Sequence, residues 1–212
     1  MTQPSPGLMQ FYPAFKEKPL KGDPFKISFI AFCAALNVGM GFLVQLLKLP
    51  IYLDSVGTIL AAVLIGPLAG ASSGVLAMII LSITAVPTAI AYCGTAVAIA
   101  VCSSFFTRFK FLANMGASIF WGLILGIIAG LISAPVTAYV FRGASLVGAD
   151  IFTVFFKAEG RPLLESVILG GIPTDCADKV LTSLLCYFLL KAMPDRIAAH
   201  FTESRILSAK PE

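Results

Sequence analysis

Residues 49–67 read LPIYLDSVGTILAAVLIGP, so a single carboxylate, Asp54, stands directly before an apolar run that extends to Ile65. As a helix, about ten residues rise only roughly 15 Å, half of the ~30 Å hydrocarbon core of a bilayer. The run is therefore expected either to stop partway or to tilt into the next apolar run across Gly66-Pro67. A short helix whose capped end faces a cavity is a common way for a membrane protein to build a ligand site. Asp54 itself fits two roles: a cap accepting from the unpaired N–H groups of the helix behind it, and a ligand group.

The surrounding sequence makes a membrane the relevant solvent. Of 212 residues, 58% are apolar and 12% charged, against about a quarter charged in soluble domains. The expected fold class is an all-α, integral membrane six-helix bundle with both termini cytoplasmic. No cleavable leader is read, because the first apolar run begins only near Ile27 and further runs follow. Cys33, Cys93, Cys102, Cys176 and Cys186 all lie in or beside apolar runs without a CxxC pair, which argues against a disulfide framework and a structural zinc site. The net charge of +4 is too small to suggest nucleic acid as a partner and is expected to record topology instead.

Residues 1–26 form a polar leader with Lys16, Lys18, Lys21 and Lys26, and the first span is expected over 27–47. Residues 55–90 are too long for one span and fit two short helices, joined tightly where Ala69, Gly70, Ala71, Ser72, Ser73 and Gly74 let backbones approach. A fourth span is expected over 91–106 and a fifth over 115–141, the latter with Gly122, Gly126 and Gly130 as overlapping GxxxG units. Residues 142–165 form the one long polar loop and enclose an apolar segment, 151–156, which suggests a lid or re-entrant piece. The sixth span is expected to start at Thr174 or Asp175, after Gly170-Gly171-Ile172-Pro173, and to leave a cytoplasmic tail over 194–212. This division places ten of the 15 Lys and Arg residues inside and four outside, in keeping with the positive-inside rule.

In that orientation Asp54, Tyr92, Cys93, Asp150 and the start of the sixth span share the outer face and can converge on one pocket. Within Thr174-Asp175-Cys176-Ala177-Asp178-Lys179, Thr174 fits a cap and Asp175 with Lys179 has i,i+4 spacing. That group reads either as a self-neutralising interface pair or as a site in which Asp178 or Lys179 meets a ligand. Asn37 and Gln45, about two turns apart, fit ligand hydrogen bonding or helix joining. The sole histidine, His200, lies in the tail, so neither a histidine zinc site nor a Ser-His-Asp triad can form within the membrane. No metal or cofactor is expected. Phosphate-binding glycine loops are absent as well, so active transport would need an ATP-hydrolysing partner.

These features resemble the substrate-binding S components of energy-coupling factor vitamin transporters. The resemblance is carried by the short six-span chain, the basic leader, the segment PIYLDSVGTILAAVLIGPLAG and the entry GGIPTDCADKVLTSLL to the last span, and it covers residues 25–193. It implies a vitamin-like substrate held near the outer surface under the loops after the first, third and fifth spans, where Tyr52, Asp54, Tyr92, Cys93 and Asp150 lie. It further implies that Ala31 and Ala35, the AxxxA of the first span, dock on a T component driven by a pair of ATPases. The family scaffold binds ligands as different as riboflavin, thiamine, biotin and cobalamin, and a cysteine near position 93 is a cobalt ligand in some cobalamin-specific members. The alternative from another class is a membrane enzyme, or a non-transport membrane subunit, that uses intramembrane acidic residues.

Overall fold

The computed structural model describes residues 24–143, 150–194, 197 and 201. The leader lysines Lys16, Lys18 and Lys21 and the tail residues Arg196, His200, Arg205 and Lys210 lie outside the described residues, so the placement of both termini is not part of the fold described here.

The described chain is helical, with no strand among the described residues. In chain order the α-helices are α1 (Pro24–Leu47), α2 (Val56–Leu64), α3 (Pro67–Thr84), α4 (Cys93–Phe106), α5 (Met115–Pro135), α6 (Asp150–Ala158) and α7 (Leu163–Lys191). A 3-10 segment, Pro87–Tyr92, leads into α4, and a π-turn, Val136–Val140, extends α5. Four segments are long and apolar enough to cross a membrane: Pro24–Leu47, Pro67–Thr84, Pro87–Phe109 and Met115–Val140. The exterior matches that solvent, since large side chains such as Leu46, Ile83 and Val140 are exposed around it.

At the centre lies α2, and all nine of its residues are buried. It is too short to span, as its sequence suggested, because Gly66 at φ +147 breaks the helix in a backbone region open to glycine and Pro67 starts α3 at a position where no N–H is needed. Its start is capped from another helix. Asn37 of α1 accepts from the Gly57 N–H at 2.6 Å and donates to Thr58 Oγ1 at 2.8 Å, which satisfies groups that no side chain in residues 48–55 reaches. The cap role considered for Asp54 is therefore filled by Asn37, with Ser55 at the N-cap position making no side-chain cap bond. Gly57 permits the approach, because a Cβ there would collide with the Cys33 carbonyl.

The most extensive helix pair is α5 with α7, and the glycine stripe explains it. A Cβ at Gly126 would lie 2.5 Å from Cys176 Cα, and one at Gly122 would lie 3.0 Å from the Lys179 carbonyl oxygen, so only hydrogen lets the two backbones meet. Here the structure corrects the expected start of the last span. Helix α7 begins at Leu163 and runs for 29 residues straight through Pro173, a length of about 44 Å. Thr174 is consequently not a cap, nor Asp175 a first-turn residue. In mid-helix Thr174 Oγ1 donates to the Gly170 carbonyl at 2.8 Å, taking up backbone acceptor capacity in the turn around the proline.

Candidate functional site

The loop between α1 and α2, residues 48–55, folds back over the bundle and is fastened there by α7. Asp178 Oδ1 accepts from the backbone N–H groups of Tyr52 at 3.0 Å and Leu53 at 2.7 Å. Asp178 Oδ2 receives the Lys179 ammonium, which also donates to Ser55 Oγ at 2.8 Å. Asp178 and Lys179 are essentially inaccessible, at 0% and 2% exposure, a depth at which ions persist only when paired and hydrogen-bonded. Leu53 adopts φ +50, a left-handed conformation costly for a bulky residue, so the bonds from Asp178 hold a turn the loop would not choose alone.

This pairing differs from the spacing argument. Lys179 was expected to meet Asp175 at i,i+4, with Asp178 unmated; instead the ion pair joins adjacent residues. Successive helical side chains diverge, but the flexible lysine stem bends to the deeper carboxylate, where neutralisation matters most. Asp175 turns towards Ser133 Oγ, which donates to it over a long 3.4 Å.

Beneath the loop is a cavity of about 110 Å³. Its charged lining is Asp54, Asp175 and Lys179, and its aromatic lining is Tyr52 and Tyr92. Hydroxyls from Ser55, Thr58, Thr95, Ser133 and Thr137 line it from the loop, α2, α4 and α5 with its π extension, while Met78, Leu81 and Ile99 supply an apolar side. Tyr92 is fixed by a 2.8 Å hydrogen bond between its hydroxyl and that of Thr137 and by stacking on Phe141. Thr95 is 9% exposed and its Oγ1 has no hydrogen-bond partner. A smaller adjoining cavity, about 20 Å³, reaches Asp150 and Thr153 of α6 and shares Tyr52, Ser133, Thr137 and Asp175 with the first. Burial pushes the Asp54 carboxyl above its ordinary range; nearby Lys179 pulls it down and Asp178 pushes it further up.

No family model, curated protein or solved structure matches this chain.

Of the residues singled out from the sequence, Tyr52, Asp54, Tyr92 and Lys179 line the main cavity and Asp150 lines the smaller one. Asp178 lies behind the wall as the fastening of the loop, and Asn37 is spent on α2. Cys93 starts α4 as a free, half-buried thiol packed beside Met78, Leu81 and Ala96 and lines neither cavity. Among the described residues no group of three or more His, Cys, Asp or Glu side chains is arranged to hold a metal. Ala31 and Ala35 are exposed, on the face of α1 turned away from Cys33, Ala34 and Asn37. Sequence reasoning missed Thr58, Thr95, Ser133 and Thr137 and left Asp175 out of the site. Ser133 of α5 and Thr137 of its π extension stand four residues apart, and that i,i+4 spacing of hydroxyls in an apolar helix was the available signal.

Proposed function

We propose that this chain captures a vitamin or related micronutrient for uptake across a cell membrane, as an S component of the energy-coupling factor type that works with a T component and two ATPases. The observation that carries this reading is the cavity itself, a mixed aromatic, hydroxyl and carboxylate pocket roofed by a short loop fastened through one carboxylate. Such a pocket binds and encloses a small molecule, and release needs only that the fastening of the roof be broken. The six crossings of the proposed topology are α1, the short α2 completed by the loop over 48–55 that leads into it, α3, α4 with its 3-10 lead, α5 and α7. Both termini lie inside, and α6 lies outside, beside the pocket.

The coupling surface in this reading is the exposed face of α1, where Gly39 continues the line of Ala31 and Ala35 and has nothing within 4 Å of where a Cβ would stand. Two leucines there would hold a partner backbone off. The test is purification from native membranes followed by mass spectrometry of the co-bound small molecule and co-purifying proteins. A T component and two ATPases should accompany the parent chain and be lost from Ala31→Leu with Ala35→Leu, which should still hold the small molecule. A parent chain that arrives without such partners, or a double variant that keeps them, would overturn the coupling reading. Labelling of a thiol introduced near position 150 from outside intact cells tests the orientation, and protection there would reverse it.

A further inference from the structure

The cavity wall carries more negative charge than the bundle neutralises. Lys179 is committed to Asp178 and Ser55, and Asp178 in turn to Lys179 and two backbone N–H groups. Asp54 and Asp175 therefore face the cavity without a cation of their own; no salt bridge reaches either among the described residues. The only side-chain hydrogen bond to Asp175 among those residues is the long one from Ser133, although Asp175 is 6% exposed. A second, independent observation points into the same space: Thr95 Oγ1, buried and unpartnered, lines it from α4.

Two carboxylates in a buried pocket raise its energy unless protons or a bound cation neutralise them. Hard metal ions need six or more oxygens, or a tight set of carboxylate ligands, and no such group is arranged among the described residues. The tyrosine rings and the apolar wall instead favour a cation with a carbon framework, which ring faces attract and Met78, Leu81 and Ile99 can cover. We propose that the cavity takes a small organic cation, a protonated amine, amidine or nitrogen heterocycle, held between Asp54 and Asp175 with a polar edge on Thr95 Oγ1. This rests on the capture reading only for its purpose in uptake; the binding chemistry stands on the cavity.

Three probes of nearly one shape test the charge: benzamidine, benzamide and benzoate, titrated into the purified full chain in lipid nanodiscs and followed by calorimetry and thermal shift. Benzamidinium should bind at millimolar concentration or below and raise the melting temperature, benzamide should bind more weakly, and benzoate should not bind. Asp175→Asn and Asp54→Asn should each weaken benzamidinium binding about tenfold, the loss expected for one hydrogen bond to a charged group, and should leave benzamide nearly unchanged. Thr95→Val, close in shape, should weaken it a few-fold and serves as the variant least prone to misfold. Benzoate binding as well as benzamidinium, absence of benzamidinium binding, or cation binding indifferent to all three substitutions would each overturn the proposal. Cation binding by a chain that recruits no T component would sink the transport reading alone. Recruitment without cation selectivity would sink this inference alone.

Discussion

Gly122, Gly126 and Gly130 on α5 and Ala31, Ala35 and Gly39 on α1 both place small residues at every fourth position, yet the first stripe is sealed beneath α7 and the second faces outward. On α5 the missing side chains are replaced by the backbone of residues 172–180. On α1 the space beside Gly39 is open. Spacing of this kind therefore marks where a backbone can approach without saying whether the approaching helix belongs to the same chain. What separates the two cases is the opposite face of each helix. Helix α1 uses Cys33, Ala34 and Asn37 to bury α2 and so has its second side left over, whereas α5 turns its glycines to the charged helix that most needs shelter.

The sharpest way to break this comparison is to add the same bulk to each stripe. Gly126→Val puts carbon on the Cys176 Cα and, at 2.8 Å, on the Asp175 carbonyl oxygen, neither of which can move without separating α5 from α7. A loss above about 4 kcal/mol is expected, enough to abolish a monodisperse peak in size-exclusion chromatography. Ala31→Val should change stability by less than about 0.5 kcal/mol, and equal damage at the two sites would show that both stripes are internal. Next in size is Lys179→Met, which strands Asp178 inside and should cost about 3–5 kcal/mol in chemical denaturation from mixed micelles. Adding Asp178→Asn should recover part of that, and a double variant no better than the single one would disprove the ion pair.

Asn37→Leu comes third. It leaves the Gly57 N–H and the Thr58 hydroxyl without their partner and should lower stability by about 1–3 kcal/mol, with faster hydrogen exchange at the first turn of α2 as its local signature. The smallest effect belongs to Asp54→Asn and appears as a pH trend. Burial raises the folded-state pKa of Asp54, so its contribution to stability is complete below its ordinary value near 4 and is lost as pH rises through the higher folded value. Lys179 and Asp178 act on it from α7, and the first opposes the shift. The variant should gain on the parent in melting temperature as pH increases across that window. A difference independent of pH would mean that the carboxyl is not held above its ordinary range.

Much of the architecture could be read from local pattern, and much of the site could not. The span-length first helix, the short central run before Gly66-Pro67 and the close contact at the α5 glycines follow from apolar length, helix breakers and small residues. Pro173 misled because a proline usually ends a helix, and the rule yields where a threonine hydroxyl and tertiary packing stabilise the turn around it. The partners of Asp178, the N–H groups of Tyr52 and Leu53, lie 126 and 125 residues away, beyond any local signal. The same holds for Asn37, whose polarity fits ligand bonding and helix joining alike and which joins α1 to α2, 20 residues on. A buried polar side chain reports that it has a partner, and the sequence does not say whether that partner is a substrate or a backbone.

The fastening of the first loop by the last helix also constrains how the protein is made. Helix α7 brings Asp175, Asp178 and Lys179 into the bundle, and on insertion scales a charge of this kind at a helix centre opposes entry by about 2.5–3.5 kcal/mol. The relief, namely Ser55 Oγ and the amides of Tyr52 and Leu53, is synthesised more than a hundred residues earlier. The first hairpin, α1 with α2, must therefore stand ready as a template when α7 emerges, and the glycine face of α5 must be beside it. Biogenesis then has a built-in order in which the cavity is the last part of the bundle to close, so that a chain stalled before α7 has an unfastened roof and an incomplete cavity wall.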